Sequence, residues 1–266
     1  MREIIIKTKK KIFGTLNARE FSKIKGNGLN FQEIREYTYG EDAKRIDWKI
    51  SAKFNKPYVK EFEEEKELNI IITILASGSL HFGIKKLKTE LIAEIVALLG
   101  YASVKYDNKV RLLIFEKEPM FYSKPIKNRK LIPFLVQKSL EFNYLKKDYS
   151  LNVIDFLNTQ KKSILFLIGD FYKHPQIHRL KHETYVIWVR DIFEENPNEL
   201  GEIDLIDPVN FKFIHTNLNK KNIKKLSERI KSQDKKFKDY LLSHKIDFCK
   251  IYTEDEPFAK LTELLK

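Results

Sequence analysis

Three side chains with oxygen donors lie where two predicted core strands end. Ser77 and Ser79 follow the first of these strands, and Asp170 follows the third. Open α/β sheets bind ligands at the carboxyl ends of their strands, so these side chains could converge there. Two hydroxyls and a carboxylate suit a hard cation such as Mg²⁺, which takes oxygen ligands in an octahedron. The alternative is structural, because serine and aspartate also cap the helices that follow such turns.

Histidines supply a second possible metal pattern. His174, His178 and His182 are spaced four residues apart, and one helical face could in principle present all three to a metal. Pro175 and a predicted strand from Thr184 leave no room for so long a helix. We therefore expect these histidines to be solvated or to play supporting roles.

The common catalytic signatures are missing from the sequence. It has no Gly-rich phosphate loop, no HExxH, no GxSxG and no paired cysteines. We therefore expect a protein that is not an enzyme.

A dense group of charged and aromatic residues occupies Gly26–Glu65, a glycine-punctuated stretch that we call the box. Charged loops carried on a scaffold are common binding sites. Arg45 stands between Asp42 and Asp47 and could serve either carboxylate, while Trp48 offers a flat apolar face. The residues that we expect to contact a partner are Arg35, Tyr37, Tyr39, Gly40, Asp42, Arg45, Asp47, Trp48 and Lys60. The alternative is that Arg45 and Asp47 only tie a surface loop together through ion pairs and caps.

The elements that must position these residues follow from the apolar pattern. Near-continuous apolar runs predict core strands at Leu68–Leu75, Val110–Phe115, Ser163–Gly169 and Thr184–Arg190, with shorter strands at Met120–Tyr122 and Phe248–Tyr252 and a hairpin at Glu202–Ile214. Helical spacing predicts helices at Arg2–Leu16, Ile84–Ala102, Arg129–Phe142, Leu151–Leu157, Asn219–His244 and Pro257–Leu265. This alternation predicts an α/β fold with a doubly wound, mostly parallel sheet.

The predicted domains divide the chain near its first core strand. Residues 1–66 would hold the N-terminal helix and the box, in which Pro57 opens an extended segment. Residues 67–266 would form the α/β domain.

Charge raises a second possible function. The chain has 266 residues with 50 Lys and Arg against 37 Asp and Glu, a net charge of +13, which suits an anionic partner. Much of this charge lies on the predicted helix 219–244, in Lys220, Lys221, Lys224, Lys225, Lys231, Lys235, Lys236 and Lys238. Lysine greatly outnumbers arginine, the side chain that reads bases best. We therefore expect a compositional effect more than nucleic-acid binding.

The sequence favours a cytoplasmic protein without a membrane span. Its longest apolar runs are of strand length, far short of the roughly 20 residues that a membrane helix needs. The basic start has only three consecutive apolar residues and lacks the core of a secretory signal. Cys249 is the single cysteine, which fits a reducing compartment.

The motifs of the chain resemble those of the domain-of-unknown-function 58 family, whose core is similar to the von Willebrand factor A domain. The residues that carry the resemblance include EIREYTYGED from Glu33, KRIDWKISAK from Lys44, PYVKEFEEEKEL from Pro57, IGDF from Ile168 and VIWVRD from Val186. The resemblance extends along the chain and implies a binding module without known catalysis. It also implies a MoxR-type AAA+ ATPase as a partner in the assembly or activation of a client protein.

One position departs from the A-domain pattern. Relatives of that type carry Asp-x-Ser-x-Ser at the first strand end, and here Leu75 replaces the aspartate before Ser77 and Ser79. Ser123 is a weak substitute for a threonine after the second strand, which leaves Asp170 as the clear carboxylate. Mg²⁺ in proteins is usually held through carboxylates. We therefore expect a degenerate metal-ion-dependent adhesion site, with no metal and no cofactor.

Two function classes follow. The first is a cytosolic protein-interaction module or adaptor that works with the ATPase through the box and the carboxyl edge of the sheet. The alternative is a nucleic-acid or anionic-surface binder that uses the helix 219–244. Salt separates them, because affinity for phosphates falls steeply with salt concentration.

Overall fold

The fold is given by a computed structural model, which describes Met1, Ile4, Ile5, Thr8, residues 31–62 and residues 67–265. For residues 31–33, 45 and 60–62 it describes the backbone alone. The chain forms two compact units, Lys25–Glu67 and a larger one made of Met1–Ile24 and Leu68–Lys266.

The N-terminal predictions lie mostly outside the described residues. Ile4, Ile5 and Thr8 are helical, and the rest of the predicted helix Arg2–Leu16 is not described. The domain division at residue 66 therefore stays a prediction.

The smaller unit is an antiparallel strand pair with a helix between its strands. Strand β1, Phe31–Glu36, pairs with strand β2, Tyr58–Phe62, which is the extended segment predicted after Pro57. A short 3₁₀ turn at Ala43–Arg45 and helix α1, Trp48–Phe54, lie between them.

The larger unit is built on a six-stranded sheet. Its strands are β3 (Asn69–Leu75), β4 (Lys109–Phe115), β5 (Pro119–Tyr122), β6 (Ile164–Gly169), β7 (Glu183–Arg190) and β10 (Asp247–Tyr252). Their order is β10-β7-β6-β3-β4-β5, and every neighbouring pair is parallel except β4 with β5. Strands β8 (Gly201–Ile206) and β9 (Phe213–Leu218) form a separate antiparallel hairpin.

Besides the helical Ile4, Ile5 and Thr8, the described residues of the larger unit include six helices that lie between or after these strands. They are α2 (Lys88–Lys105), α3 (Ile132–Glu141), α4 (Val153–Thr159), α5 (Ile192–Glu195), α6 (Lys220–Ser243) and α7 (Pro257–Leu264). None of the helices in the described residues is long and apolar enough to span a membrane.

The sheet is buried on both faces, and strand β3 shows why. Ile70, Ile72 and Ile74 pack into one apolar cluster with α2, α3 and α7. Ile71 and Leu75 point the other way, into a second cluster with α4 and α6. Because successive side chains of a strand alternate between faces, a doubly covered strand must be apolar throughout. The predicted α/β class with a mostly parallel sheet is therefore confirmed.

The strand order reverses at β3, which has the next strand β4 on one side and the later strand β6 on the other. The loops that leave β3 and β6 then turn away from each other. This reversal places the residues after Leu75 and Gly169 at one crevice of the carboxyl edge.

Candidate functional site

Hydrogen bonds of the backbone and of a serine hydroxyl join the segment after β1 to the start of β2. The Tyr37 N–H donates to the Pro57 carbonyl at 2.8 Å, and the Asp47 N–H donates to the Tyr58 carbonyl at 2.9 Å. The Ser51 hydroxyl donates to the Asp47 carbonyl and accepts from the Tyr58 N–H, both at 2.8 Å. These hydrogen bonds therefore fix the shape of the segment between β1 and β2.

Asp42 and Asp47 are both helix caps. Asp42 Oδ1 accepts from the Lys44 N–H at 3.0 Å at the start of the 3₁₀ turn. Asp47 Oδ1 accepts from the N–H groups of Lys49 at 3.0 Å and Ile50 at 3.1 Å at the start of α1. The cap that the structural alternative assigned to Asp47 is thus observed, and Asp42 caps in the same way; both satisfy N–H groups that the first turn leaves unpaired.

The predicted pairing of Arg45 with these carboxylates stays a prediction, because the side chains of Arg45 and Lys60 lie outside the described part of the chain. A bidentate ion pair joins Arg35 to Glu41 instead, with nitrogen to oxygen distances of 2.9 and 3.1 Å. The Tyr37 hydroxyl donates to the Glu41 carbonyl at 2.7 Å. The contact prediction omitted Glu41, although its place just beyond a glycine turn was a usable signal.

Gly40 makes that turn possible. The Glu41 N–H donates to the Thr38 carbonyl at 3.2 Å, and Gly40 has a φ of 106° at the third position of the turn. A turn with positive φ at this position strongly favours glycine. It leaves Tyr39 at the tip, 99% exposed.

Two further aromatic side chains of the box face solvent, as Tyr39 does. Trp48 is 70% exposed and Phe54 is 61% exposed, and both lie on α1. Single exposed apolar side chains are common on protein surfaces, whereas several on one small unit are typical of a contact surface. We call Tyr39, Trp48 and Phe54 the aromatic surface.

A shallow cleft of about 520 Å³ adjoins Trp48. Its lining residues are Tyr37, Ile46, Trp48, Ser51, Ala52, Asn55, Lys56 and Pro57. Lys56 is the charged group among them, and its ammonium lies 2.8 Å from Glu36. The hydrogen bond to Lys56 is also the main cause that lowers the pKa of Glu36. Apolar walls with a few polar groups are typical of a pocket that accepts a side chain.

The carboxyl edge of the larger sheet brings Ser77, Ser79 and Asp170 together, as predicted. The two serine hydroxyl oxygens are 2.6 Å apart, and Ser79 Oγ donates to Asp170 Oδ2. Ser77 Oγ also accepts from the Ser79 N–H at 3.3 Å, as the cap of a 3₁₀ turn. Convergence and capping therefore both hold at this edge.

Lys88 also lies at this edge, which the sequence pattern did not indicate. Its ammonium is 2.7 Å from Glu194 Oε1 and 3.5 Å from Asp170 Oδ2. The Tyr172 hydroxyl donates to Glu194 Oε1 at 2.9 Å. Lys88 is the first residue of α2 and is fully buried, which the helical spacing alone does not reveal.

A second ionic group surrounds Arg190 at the end of β7. Arg190 is 1% exposed, and its Nη2 donates to Asp234 at 2.7 Å. Lys250 pairs with Asp234 at 2.6 Å and also with Glu195. Burial alone would lower the pKa of Arg190, but Tyr172 and the carboxylates Asp234 and Glu194 outweigh it and raise the pKa. Arg190 therefore stays charged within the fold.

The residues at this edge do not fit a magnesium ion. Leu75 is fully buried in an apolar cluster, so no carboxylate stands at the first strand end. Ser123 is also absent from the edge, because its hydroxyl accepts from the Leu112 N–H in the middle of β4. Asp170 Oδ1 is buried without a hydrogen-bond partner, but Asp170 Oδ2 already accepts from Ser79 and lies 3.5 Å from the Lys88 ammonium, which would repel a divalent cation. Among the described residues, no group of three or more His, Cys, Asp or Glu could hold a metal ion.

The three histidines at four-residue spacing have separate surroundings. His182 is buried, accepts from the Ser163 N–H at 3.2 Å and bonds to the Leu157 carbonyl at 2.8 Å. His174 stacks on Phe237, with ring centroids 4.6 Å apart. His178 Nδ1 lies 2.9 Å from the Tyr240 hydroxyl, so each of the three histidines contacts protein groups.

The basic helix α6 presents its predicted lysines to solvent. All eight lysines named above are exposed. The apolar face of this helix is narrow, because Ile230, Phe237 and Leu241 are buried while Leu226 is 38% exposed. Acidic residues share the exposed surface, among them Glu228 and Asp239.

Comparison with known proteins finds relatives without an assigned function. Uncharacterized protein Rv1480 of Mycobacterium tuberculosis is 31% identical over 83 residues, which is 31% of this chain and 26% of that protein. Uncharacterized protein Mb1516 of Mycobacterium bovis matches to the same extent. The matched part of the chain thus spans about a quarter of the length of these relatives.

Comparison with solved structures gives two matches with low TM-scores. The conserved hypothetical protein BatB from Bacteroides thetaiotaomicron is 12% identical with a TM-score of 0.45. An aerotolerance-related membrane protein from Bacteroides fragilis is 11% identical with a TM-score of 0.47. Each match covers 74% of this chain and 96% of the other. At these scores neither carries a conclusion about this chain.

The match to a family model covers most of the chain. The model described as Protein of unknown function DUF58 matches residues 33–236, which include the box from β1 onward and the sheet as far as α6. The chain therefore belongs to the DUF58 family.

Proposed function

We propose that this chain is a cytosolic protein-interaction module that acts by binding, without catalysis of its own. Its partner is a MoxR-type AAA+ ATPase, with which it assembles or activates a client protein. The main contact is the aromatic surface of the box, and the larger unit is a von Willebrand factor A-like domain with a degenerate metal site. Membership of the DUF58 family and the doubly wound sheet support this assignment.

The exposure of Trp48 carries the proposal. A tryptophan that is 70% exposed beside a cleft contributes little to folding and is available to a partner. Tryptophan and tyrosine are enriched among the residues that dominate binding energy at protein interfaces. Several polar groups nearby are already occupied, since Asp42 and Asp47 cap helices and Arg35 pairs with Glu41. Among the described residues of the box, the aromatic surface therefore offers the largest exposed apolar area for recognition.

A binding titration with the purified MoxR-type ATPase of the same host tests this role. We expect Trp48→Ala to weaken the affinity by at least about tenfold, as for a residue at the centre of an interface. Phe213→Ala is the matched control, because Phe213 is an aromatic residue that is 75% exposed on β9. The control variant should bind as the wild type does.

Salt dependence distinguishes the alternative function. If the lysines of α6 bind nucleic acid or another anionic surface, affinity for that ligand falls steeply as salt rises. Reversal of charge at Lys220, Lys224, Lys231 and Lys235 should leave ATPase binding unchanged under our proposal. If the ATPase binds Trp48→Ala normally but loses the charge-reversed variant, the aromatic surface is not the contact.

A further inference from the structure

Lys88 lies in an unusual position for a lysine. It is fully buried, although lysine is rarely buried without a charged partner. The ring centroids of Phe82 and Tyr172 lie 5.9 and 5.8 Å from its ammonium and form part of its surroundings. A buried ammonium must be compensated by nearby carboxylates, because removal of its hydration is costly.

Two carboxylates supply this compensation. Glu194, which is 11% exposed, lies 2.7 Å from the ammonium, and Asp170, which is 1% exposed, lies 3.5 Å from it. Asp170 follows β6 and Glu194 belongs to α5, so Lys88 links the two strand ends β6 and β7 through the start of α2. The ammonium is within ion-pair distance of the one carboxylate that a metal at this edge would require.

We propose that the Lys88 ammonium is the resident cation of the carboxyl edge. It neutralises Asp170 and Glu194 in place of a divalent metal ion, so this edge of the sheet keeps its structure without metal. The inference goes beyond the proposed function, since it concerns the edge and not the aromatic surface.

The serine loop supports this assignment. The Ser79 hydroxyl donates a hydrogen bond to Asp170 Oδ2, and its oxygen lies 2.6 Å from Ser77 Oγ. The two hydroxyls therefore bond to each other, and Ser79 also bonds to the carboxylate. Ser77 is only 5% exposed. Mg²⁺ usually keeps several of its waters in a protein site, and so closed an edge offers little room for them.

The hairpin β8–β9 closes the same loop from outside. A Cβ atom at Gly78 would lie 2.3 Å from the Pro208 carbonyl oxygen, so the backbone of the hairpin turn lies directly on the serine loop. The Pro208 carbonyl also accepts from the Lys146 N–H at 2.9 Å. The chain itself therefore covers the approach past Gly78.

Thermal unfolding of charge variants tests the role of Lys88. We expect Lys88→Met to lower the melting temperature by about 10 °C, because the buried Asp170 and the mostly buried Glu194 lose the cation nearest to them. Lys86→Met is the matched control, since Lys86 pairs with Glu94 at 2.6 Å and both side chains are partly exposed. The control should lose about 2 °C or less.

A neutral variant separates charge from packing. Lys88→Met combined with Asp170→Asn and Glu194→Gln removes the cation and both carboxylates, so it should melt at a higher temperature than Lys88→Met alone. If Lys88→Met fails to fold, recovery of a folded protein in the combined variant is the supporting result. A combined variant that is no more stable than Lys88→Met would overturn the proposal.

Metal titration of the wild-type protein tests independently whether the carboxyl edge binds a divalent cation. Titration with Mn²⁺, followed by electron paramagnetic resonance, should show no stoichiometric site, and millimolar Mg²⁺ should not raise the melting temperature at matched ionic strength. A tight Mn²⁺ site that is lost in Asp170→Asn would show that the edge takes a metal after all.

Discussion

The box and the carboxyl edge of the sheet contain the same kinds of residue and use them in opposite ways. In the box, the Asp47 carboxylate accepts hydrogen bonds from backbone N–H groups, and Trp48 is 70% exposed. At the edge, Asp170 is 1% exposed within an ionic cluster, and Trp188 is 3% exposed with its indole N–H donating to the Asp170 carbonyl at 3.0 Å. The difference shows that charged and aromatic residues do not mark a contact surface by themselves. Their exposure decides whether a partner can reach them.

The two tryptophans give the largest expected contrast. Trp188→Ala should lower the free energy of unfolding by about 3 to 5 kcal/mol, because a large buried aromatic side chain leaves a cavity. Trp188 packs against Phe237, with ring centroids 5.2 Å apart, and against the Arg190 guanidinium at 5.3 Å. Urea unfolding followed by circular dichroism measures the loss. A loss below about 1 kcal/mol, typical of a surface substitution, would contradict the assignment of Trp188 to the core.

The two glycines give the next contrast. Gly78→Ala should cost about 1 to 3 kcal/mol, because its new Cβ would collide with the Pro208 backbone and one segment must move. Apart from the two chain neighbours of Gly40, no heavy atom of the described residues lies within 4 Å of the same position, but Gly40 has a φ of 106°. Gly40→Ala should therefore cost about 1 kcal/mol, from backbone strain alone.

Unfolding midpoints of the two alanine variants check this order. A Gly40 variant that is more destabilised than the Gly78 variant would mean that the hairpin turn at Pro208 adjusts freely.

The helix cap of the box gives a smaller effect. Asp47→Ala should destabilise the box by about 1 kcal/mol, since it removes the acceptor for two N–H groups of α1. Trp48 fluorescence in a Trp188→Phe background reports on the box, because the chain has only two tryptophans. Asp47→Asn is the control, since asparagine is an equally good cap. Equal destabilisation by both variants would point to a lost ion pair instead of a lost cap.

The sequence was most informative where periodicity and burial act together. The strand β3 was predictable because a strand covered on both faces must be apolar along its length, and Leu68–Leu75 has that pattern. The convergence of Ser77 and Ser79 with Asp170 followed from the rule for carboxyl edges of parallel sheets. Such regularities depend on one or two neighbouring elements.

Residues whose role depends on distant contacts were not predictable. Lys88 is charged and begins a helix, a position that usually faces solvent, and its burial depends on Asp170 and Glu194 far along the chain. The pairing of Arg35 with Glu41 depends on the turn at Gly40, whereas spacing in the sequence favoured Arg45, whose side chain is not described. Spacing identifies which residues share a face, but ion pairs are decided by tertiary geometry.

The unfolding free energy of Trp48→Ala, measured beside its affinity for the ATPase, decides whether Trp48 contacts a partner or holds the box together. We expect this variant to lose partner binding while its free energy of unfolding stays within about 0.5 kcal/mol of the wild-type value, as for a surface substitution. A loss of about 3 kcal/mol or more, typical of a buried aromatic, would contradict the account, because Trp48 would then hold the box together instead of meeting a partner.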